Sequence, residues 1–388
     1  MIQRWPITNT HLHLPPNFSA FATVEDAVTV AAAEGAAAIG LSNFFGLEVY
    51  GRFRDAAVAA GVRPLFGLEF ITLDAALAER GVLVNDPANP GRLYLTGKGI
   101  NPFGVAPPAA AATAAAIRRG NDERAELMVN RLTAYFQALG FDLALSAAGI
   151  AADVARRAGV PAEWVSLQER HLARALHERL ATLPPAERDA LVERAFGGPP
   201  TSPFDAAAAY QGELRARLLK AGKPGFAPEV PVGFAAAYDY ILALDGIPCY
   251  PTVADGVTPR TEFEASADAL AAECLRRGLP AAELIPARNT AACVDEYVRA
   301  FTAAGLIVLA GTEHNTPDRL PIDPAAADGP LSDYAREHFY RGACVVAAHQ
   351  QAVAEGRPGF VGPDGAPAGA IADFARQGDR LLNPGGPL

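Results

Sequence analysis

The feature that most constrains the fold of this 388-residue chain is a repeated alternation of short apolar runs with helix-like segments. The segment that starts at Thr23 has helical spacing, acidic residues in its first turn and Gly35 just past its end. Apolar, strand-like runs follow at 36–44 and 62–73, with a helix predicted around 52–60 between them. Strands that alternate with helices through short connections are typical of a parallel sheet in an α/β fold.

The same alternation returns in the C-terminal half. Strand-like runs occur in GIPCYPTV, AAELIPARN and GLIVLAGTEHN, and helical patterns at 263–277 and 290–304 separate them. Between the two halves the chain becomes rich in Ala, Arg and Glu with helical spacing. We therefore predict a discontinuous α/β domain formed by 1–108 and 224–355, with a helical insertion at 109–223 and a Gly/Pro-rich tail at 356–388. An independent helical domain is the alternative interpretation of the middle segment.

Composition excludes several classes of protein. The chain has 33 Lys and Arg residues against 43 Asp and Glu, a formal charge of −10, so no broad surface for nucleic acid or anionic membrane is expected. Half of the residues are hydrophobic, which is enough for a sizeable core. The four cysteines are far apart, without a CxxC pair, and are expected to be reduced thiols rather than zinc ligands. Neither a secretory signal nor a membrane span is recognisable, so the sequence predicts a cytoplasmic protein.

The chain has only seven histidines, and two of them form an H-x-H motif directly after a polar TNT. Residues i and i+2 of a strand point to the same face, so His11 and His13 could bind one metal ion. Two unrelated histidines in the core or on the surface are the alternative interpretation of this short motif.

Polar residues also follow three other apolar runs. Glu69 lies in PLFGLEF, Arg288 and Asn289 in LIPARN, and Glu313 and His314 in LAGTEHN. In parallel α/β barrels functional groups gather at the C-terminal ends of the strands, which predicts a common site for these side chains. For Glu69 a satisfied buried carboxylate or a helix-cap partner is the alternative, and for Arg288 it is a structural salt bridge.

Together these pieces resemble the PHP family, the polymerase and histidinol phosphatase class of metal-dependent phosphoesterases. TNTHLHLPPNFSAF resembles the opening HxH motif of the family, VRPLFGLEF its Gly-(Ile/Leu)-Glu strand, LDGIPCYPT its Ala-His-Pro strand and LAGTEHN its closing Gly-Ser-Asp-x-His. QERHLARAL, within the predicted insertion, is similar to a segment of members that hydrolyse nucleotide or oligonucleotide phosphates. The resemblance implies a distorted PHP-type (β/α)7 TIM-like barrel with a helical insertion.

The resemblance also implies metal ligation by His11, His13 and Glu69, with Glu313 in the position of the closing acid. Several family ligands are replaced in this chain. Ser42-Asn43-Phe44 stands where the family has Thr-Asp-His, and Cys249-Tyr250-Pro251 or Tyr250-Pro251-Thr252 stands where it has Ala-His-Pro. Tyr94 takes another frequent His position, and Asn315 takes that of the last His. We therefore expect a divalent ion, Zn, Mn or Fe, and fewer ions than PHP enzymes usually hold.

The remaining predicted roles concern proton transfer and substrate binding. His314 or Tyr250 could donate a proton to a leaving group. Arg288 could bind a phosphate or carboxylate through a forked contact and Lys98 as a point charge, although a solvated loop lysine is the alternative for Lys98. The full set of predicted substrate-binding residues is Asn43, Lys98, Thr252, Arg288, Asn289 and Asn315.

The predicted function is metal-dependent hydrolysis of a small anionic substrate, with a phosphate ester favoured and a metal-activated water at the barrel mouth. Two alternatives remain open. One is a metal-dependent isomerase, lyase or amidohydrolase that acts on a small anionic substrate. The other is a degenerate barrel that binds a small anion without turnover. DNA binding is not expected in any of these cases.

Overall fold

The computed structural model describes residues 5–229 and 231–384, and its centre is a nearly closed barrel of seven strands. The strand order around the barrel is β1, β2, β3, β4, β6, β7, β8, and the two-residue β5 pairs with β3 at its edge. The strands are β1 (Ile7–Leu12), β2 (Ala36–Leu41), β3 (Arg63–Leu73), β4 (Arg92–Lys98), β5 (Val232–Gly233), β6 (Ile247–Thr252), β7 (Ala281–Leu284) and β8 (Ile307–Ala310). The α/β barrel expected from the sequence is thus present.

One strand departs from the parallel sheet that the alternation predicts. β4 runs antiparallel to both of its neighbours, β3 and β6, whereas all other neighbouring barrel strands pair in parallel. A parallel neighbour is usually reached by a crossover connection that contains a full helix. The 74–91 connection contains only the five-residue helix α3 (Ala75–Glu79) and returns the chain along the adjacent strand.

The barrel closes between β1 and the segment that follows β8. The backbone N–H groups of Thr312 and Glu313 both donate to the carbonyl of His11, and the N–H of His13 donates to the carbonyl of Glu313. This approach requires glycine at position 311, because a Cβ atom there would lie 2.2 Å from the Cβ of His11. The H-x-H segment is therefore held directly against the end of the last strand.

Helices cover the outside of the barrel. Several of them begin at a side-chain cap, such as Thr23 before the first helix and Ser332 before the longest outer helix. The outer helices are α1 (Val24–Ala33), α2 (Tyr50–Ala59), α9 (Phe234–Ala243), α10 (Ala267–Arg276), α11 (Ala291–Ala303), α12 (Asp333–Ala354) and α13 (Ile371–Leu382). The last of these lies in the predicted Gly/Pro-rich tail and packs against α12.

The segment predicted as an insertion folds into helices. They are α4 (Pro108–Ala138), α5 (Ala147–Ala158), α6 (Glu169–Leu180), α7 (Pro185–Phe196) and α8 (Ala207–Leu214), and a π-helical turn continues α8. Their buried side chains form a hydrophobic cluster separate from that of the barrel. α4 joins the two clusters, because Ala110, Ala114 and Ile117 pack on the barrel while Met128 and Phe136 lie in the helical cluster. The exact domain boundaries stay a prediction.

Within 5–229 and 231–384, no helix combines the length and the apolar character needed to cross a membrane.

Candidate metal centre and cavity

Three side chains that the sequence predicts as ligands meet at the barrel mouth. The Nε2 atom of His13 lies 3.2 Å from Oε2 of Glu69 and 3.3 Å from Nε2 of His11, and Nε2 of His11 lies 3.6 Å from the same Glu69 oxygen. All three residues are buried, with 4% exposure or less. Among the described residues this is the one group of three or more His, Cys, Asp or Glu side chains whose donor atoms converge within 4.8 Å.

The donor set fits a divalent metal ion. Bonds of about 2.1 Å to imidazole nitrogen and carboxylate oxygen, in tetrahedral geometry, place donor atoms about 3.4 Å apart. The observed separations of 3.2, 3.3 and 3.6 Å match that value. Two nitrogens and one carboxylate leave a fourth position for water or substrate, as in catalytic zinc sites.

Glu283, on β7, is a member of the site that the sequence analysis did not identify. Its Oε1 atom lies 3.1 Å from Nδ1 of His11 and accepts a hydrogen bond of 2.8 Å from the Thr96 hydroxyl. Its Oε2 atom lies 2.6 Å from Nζ of Lys98. The signal that could have revealed it is a single acid within the apolar run AAELI.

These contacts set the charge states of the buried groups. Burial alone would lower the pKa of His11, but the carboxylates of Glu283 and Glu69 outweigh it and raise the pKa to about 9. Burial alone would raise the pKa of both acids, but His11 and His13 lower that of Glu69, and Lys98 and His11 lower that of Glu283. Both carboxylates are therefore ionised in the folded protein at neutral pH.

Phe44 takes a position at which the PHP resemblance implies a ligand. Its ring stacks on the imidazole of His13, with the ring centroids 5.0 Å apart and the planes 12° from parallel. The Nδ1 atom of His13 has no hydrogen-bond partner among the described residues. Stacking on an aromatic ring therefore orients this imidazole.

A cavity of about 420 Å³ lies above the cluster, between the barrel mouth and the helical segment. Glu69, Tyr94 and Thr252 line it from the barrel. Arg124 from α4 and Arg170 from α6 line it from the opposite side. The predicted insertion thus covers the mouth of the barrel, a point that the sequence alone left undecided.

A chain of polar contacts crosses the mouth of this cavity. Glu313 is paired with the guanidinium of Arg288, and its Oε2 atom accepts a hydrogen bond of 2.6 Å from the Asn315 amide. Oδ1 of Asn315 in turn lies 3.5 Å from a guanidinium nitrogen of Arg170. All four residues line the cavity. Glu313 is outside the three-residue donor cluster, so its predicted role as a metal ligand stays a prediction.

Arg170 differs from the other cations around the cavity. It has no carboxylate partner within the described part of the chain, whereas Arg124 and Lys220 both pair with Glu169. Burial, together with the nearby Arg215 and Arg288, lowers the pKa of Arg170 to about 10, which still leaves it charged at neutral pH. A charged guanidinium without an acidic partner is suited to bind an anionic ligand.

The two residues predicted as proton donors are turned away from the cavity. Glu313 and His314 both have positive φ angles beyond the end of β8, and the turn directs His314 toward Phe21, on which its ring stacks. Nε2 of His314 lies 2.8 Å from the Leu320 carbonyl. The Tyr250 hydroxyl donates a 2.7 Å hydrogen bond to Glu264. Neither side chain lines the cavity, and their catalytic roles stay predictions.

The predicted substrate-binding residues fall into two groups. Thr252, Arg288 and Asn315 line the cavity, and the Thr252 hydroxyl has no hydrogen-bond partner among the described residues. The side chains of Asn43, Lys98 and Asn289 instead contact protein groups. Asn43 pairs with the backbone of Leu14, Asn289 donates to Asp255 and to the Val253 carbonyl, and Lys98 is 1% exposed beside Glu283.

Comparison with known proteins identifies structural neighbours only. Neither a protein-family model nor a curated protein matches the chain. A solved structure from Bifidobacterium adolescentis, whose assignment as a metal-dependent phosphoesterase is provisional, covers 86% of this chain and 96% of its own at 14% identity, with a TM-score of 0.58. An amidohydrolase from Chromobacterium violaceum, with bound sulfate and no metal, covers 82% and 93% at 18% identity, with a TM-score of 0.54. At these identities the similarity shows that the chain shares their fold.

Proposed function

We propose that the chain is a metal-dependent hydrolase of the PHP type that acts on a small phosphate ester. The observation that carries the proposal is the convergence of two imidazole nitrogens and one carboxylate oxygen, at 3.2 to 3.6 Å, below a cavity lined by Arg170, which has no carboxylate partner among the described residues. A divalent ion held by His11, His13 and Glu69 would supply an activated water and polarise a phosphoryl oxygen.

The charges inside the barrel favour one ion. Glu69 and Glu283 are the carboxylates at the cluster, and Lys98 already balances the charge of Glu283. Glu69 alone would have to balance a second divalent cation as well as the first, and buried uncompensated charge is costly. Phe44, which stacks on His13, also supplies no donor atom on that side. We therefore propose a mononuclear site that takes Zn, Mn or Fe.

The cavity residues suit an anionic substrate. Arg170 would bind a phosphate or carboxylate oxygen, and the free hydroxyl of Thr252 would donate a further hydrogen bond. Tyr94 also lines the cavity. Burial and the nearby Asp86 and Glu69 raise the pKa of Tyr94, so this hydroxyl keeps its proton and can donate to a leaving group.

A second candidate function is supported by the neighbour that is described as an amidohydrolase. Metal sites in barrels polarise carbonyl as well as phosphoryl oxygens, and the three ligands do not distinguish between these substrates. A third possibility is an anion-binding barrel without turnover. It stays open because Ser42-Asn43-Phe44, after β2, lacks the Asp and His ligands that the PHP family has at this position.

Metal analysis combined with a substrate panel tests the proposal. Purified protein should contain about one equivalent of metal and should hydrolyse phosphate esters in preference to amides and lactones. The His11→Ala/His13→Ala variant should lose both the metal and the activity. The His177→Ala/His338→Ala variant, in which two histidines outside the cluster are removed, should retain both. Metal-containing protein that cleaves only amides would favour the amidohydrolase function, and protein that stays metal-free after reconstitution would refute metal-dependent hydrolysis.

A further inference from the structure

Two fully buried charges lie inside the barrel, and neither lines the cavity. Lys98, at the end of β4, is 1% exposed, and Glu283, on β7, is 0% exposed. Desolvation of a buried ion pair often offsets its attraction, so apolar residues of similar size would frequently be at least as stable. Stability alone therefore gives no reason for this pair, and its contacts point to another role.

Three contacts fix the Glu283 carboxylate in one orientation. Oε1 accepts from the Thr96 hydroxyl at 2.8 Å and lies 3.1 Å from Nδ1 of His11, while Oε2 lies 2.6 Å from Nζ of Lys98. Lys98 is held in turn by the carbonyl of Thr10, at 3.1 Å from Nζ. β4 and β7 thus supply a rigid carboxylate directly behind the first imidazole of the H-x-H motif.

We propose that Glu283, held by Lys98 and Thr96, is a positioning residue for His11 in the metal centre. This inference rests on the proposed metal-dependent function. A carboxylate that accepts a hydrogen bond from Nδ1–H keeps the proton on Nδ1 and leaves the lone pair of the imidazole on Nε2, the atom that faces Glu69 and His13. Acceptors of this kind behind a ligating histidine orient the ring and strengthen it as a ligand.

Lys98 has a separate part in this arrangement. Its ammonium lies 2.6 Å from Oε2 of Glu283 and 3.1 Å from the Thr10 carbonyl, so it balances the charge of the carboxylate and holds it in place. The sequence analysis predicted that Lys98 binds substrate from a loop. The structure instead supports an indirect role, because the side chain ends 2.6 Å from Glu283 inside the barrel.

Two double variants separate the acceptor from the charge. Lys98→Met/Glu283→Gln removes both charges and keeps an oxygen acceptor beside Nδ1 of His11. Lys98→Met/Glu283→Leu removes the same charges and the acceptor as well. Zn²⁺ is titrated into metal-free protein, and its Kd is measured by calorimetry, so the result does not depend on any substrate.

The expected result is a Kd for Zn²⁺ that is raised about tenfold to 100-fold in the Leu variant and about threefold or less in the Gln variant. Equal weakening in both variants would overturn the inference, because charge and not the acceptor would then control affinity. Unchanged affinity in the Leu variant would also overturn it. If the wild-type protein binds no Zn²⁺, the proposed function fails together with the inference, whereas tight wild-type binding with an unaffected Leu variant refutes the inference alone.

A milder change covers the case in which a double variant does not fold. Thr96→Val removes one hydrogen bond to Glu283 with little change in volume, and Zn²⁺ affinity should fall by a smaller factor. Glu264→Gln is the matched control, since it makes the same acid-to-amide change at another fully buried side chain, whose carboxyl group bonds to Tyr250 and not to the metal cluster. Zn²⁺ affinity that is unchanged in Thr96→Val, or reduced equally in Glu264→Gln, would count against positioning by Glu283.

Discussion

The contribution of Glu264 to the stability of the folded chain should fall as the pH rises from about 4.5 to about 7, because its side chain resists ionisation in the folded state. This carboxyl group is fully buried beneath the loop that follows β6. Burial raises its pKa from the ordinary value of 4.5 to about 7, against the opposing effects of the Tyr250 hydroxyl, the backbone N–H groups of Val253 and Ala254, and the charge of Arg260.

The sign and size of the effect follow from proton linkage. Below pH 4.5 the group is protonated in both the folded and the unfolded chain, so its full contribution to stability is present. Between 4.5 and 7 the unfolded chain loses this proton first, and the contribution is lost as the pH rises through the folded pKa. The difference between the two pKa values, at about 1.4 kcal/mol for each pH unit, corresponds to about 3 kcal/mol.

Urea denaturation of the wild type and of Glu264→Gln at pH values between 4.5 and 8 measures this contribution. The variant cannot ionise, so the stability of the wild type relative to the variant should decline by about 3 kcal/mol across the range and level off above pH 7. Glu126→Gln makes the same chemical change at an exposed position and should run parallel to the wild type. Parallel curves for the wild type and Glu264→Gln would show that the buried group ionises normally and would refute the reasoning.

Three further predictions concern the site. Tyr250→Phe removes one hydrogen bond to Glu264 and should cost about 1–3 kcal/mol of stability while kcat changes less than twofold; a large loss of kcat would instead support the predicted proton donor. Arg170→Gln should raise KM for a phosphate ester by about tenfold or more with little change for a neutral ester, and equal effects on both would argue against anion binding. Gly311→Ala forces a Cβ against His11, so both Zn²⁺ affinity and thermal stability should fall, and a variant that keeps wild-type affinity would contradict the close approach.

Much of the barrel is encoded in local patterns that a single sequence displays. The alternation of apolar runs and helical spacing located most of the parallel strands, and the acidic first turn correctly indicated the start of α1, which Thr23 caps. No strand was predicted at 92–98, and the direction of β4 could not be predicted either, because RLYLTGK alternates in the same way whichever direction the strand runs. α10 begins at Ala267 rather than near 263, since Ser266 caps it and a short 3₁₀ turn precedes it.

Site residues could be predicted where they follow an apolar run, because such a run was expected to end at the barrel mouth. His11 and His13 lie at the end of β1 and Glu69 follows an apolar run within β3, and the three side chains meet in the structure. Glu283 was missed because it lies within a strand, where a lone acid has no partner close in sequence. Its partners Lys98 and Thr96 come from β4, nearly 190 positions earlier in the chain. The antiparallel pairing of β4 in the barrel places them beside Glu283.

The antiparallel strand β4 also determines where this chain can change in length. Its register places Gly67 opposite Lys98 and Glu69 opposite Thr96, and side chains on a strand alternate between faces. One residue inserted or deleted within β4 would turn Thr96 or Lys98 away from the barrel interior and bring Leu93 or Leu95 into it. Within the 74–91 connection, the exposed stretch 79–81 can vary in length more easily, because longer loops add little closure entropy and leave the strand pairing intact, whereas Val84 and Asn85 are buried. A library that varies length across both segments should therefore recover functional barrels with changed connections and an unchanged strand.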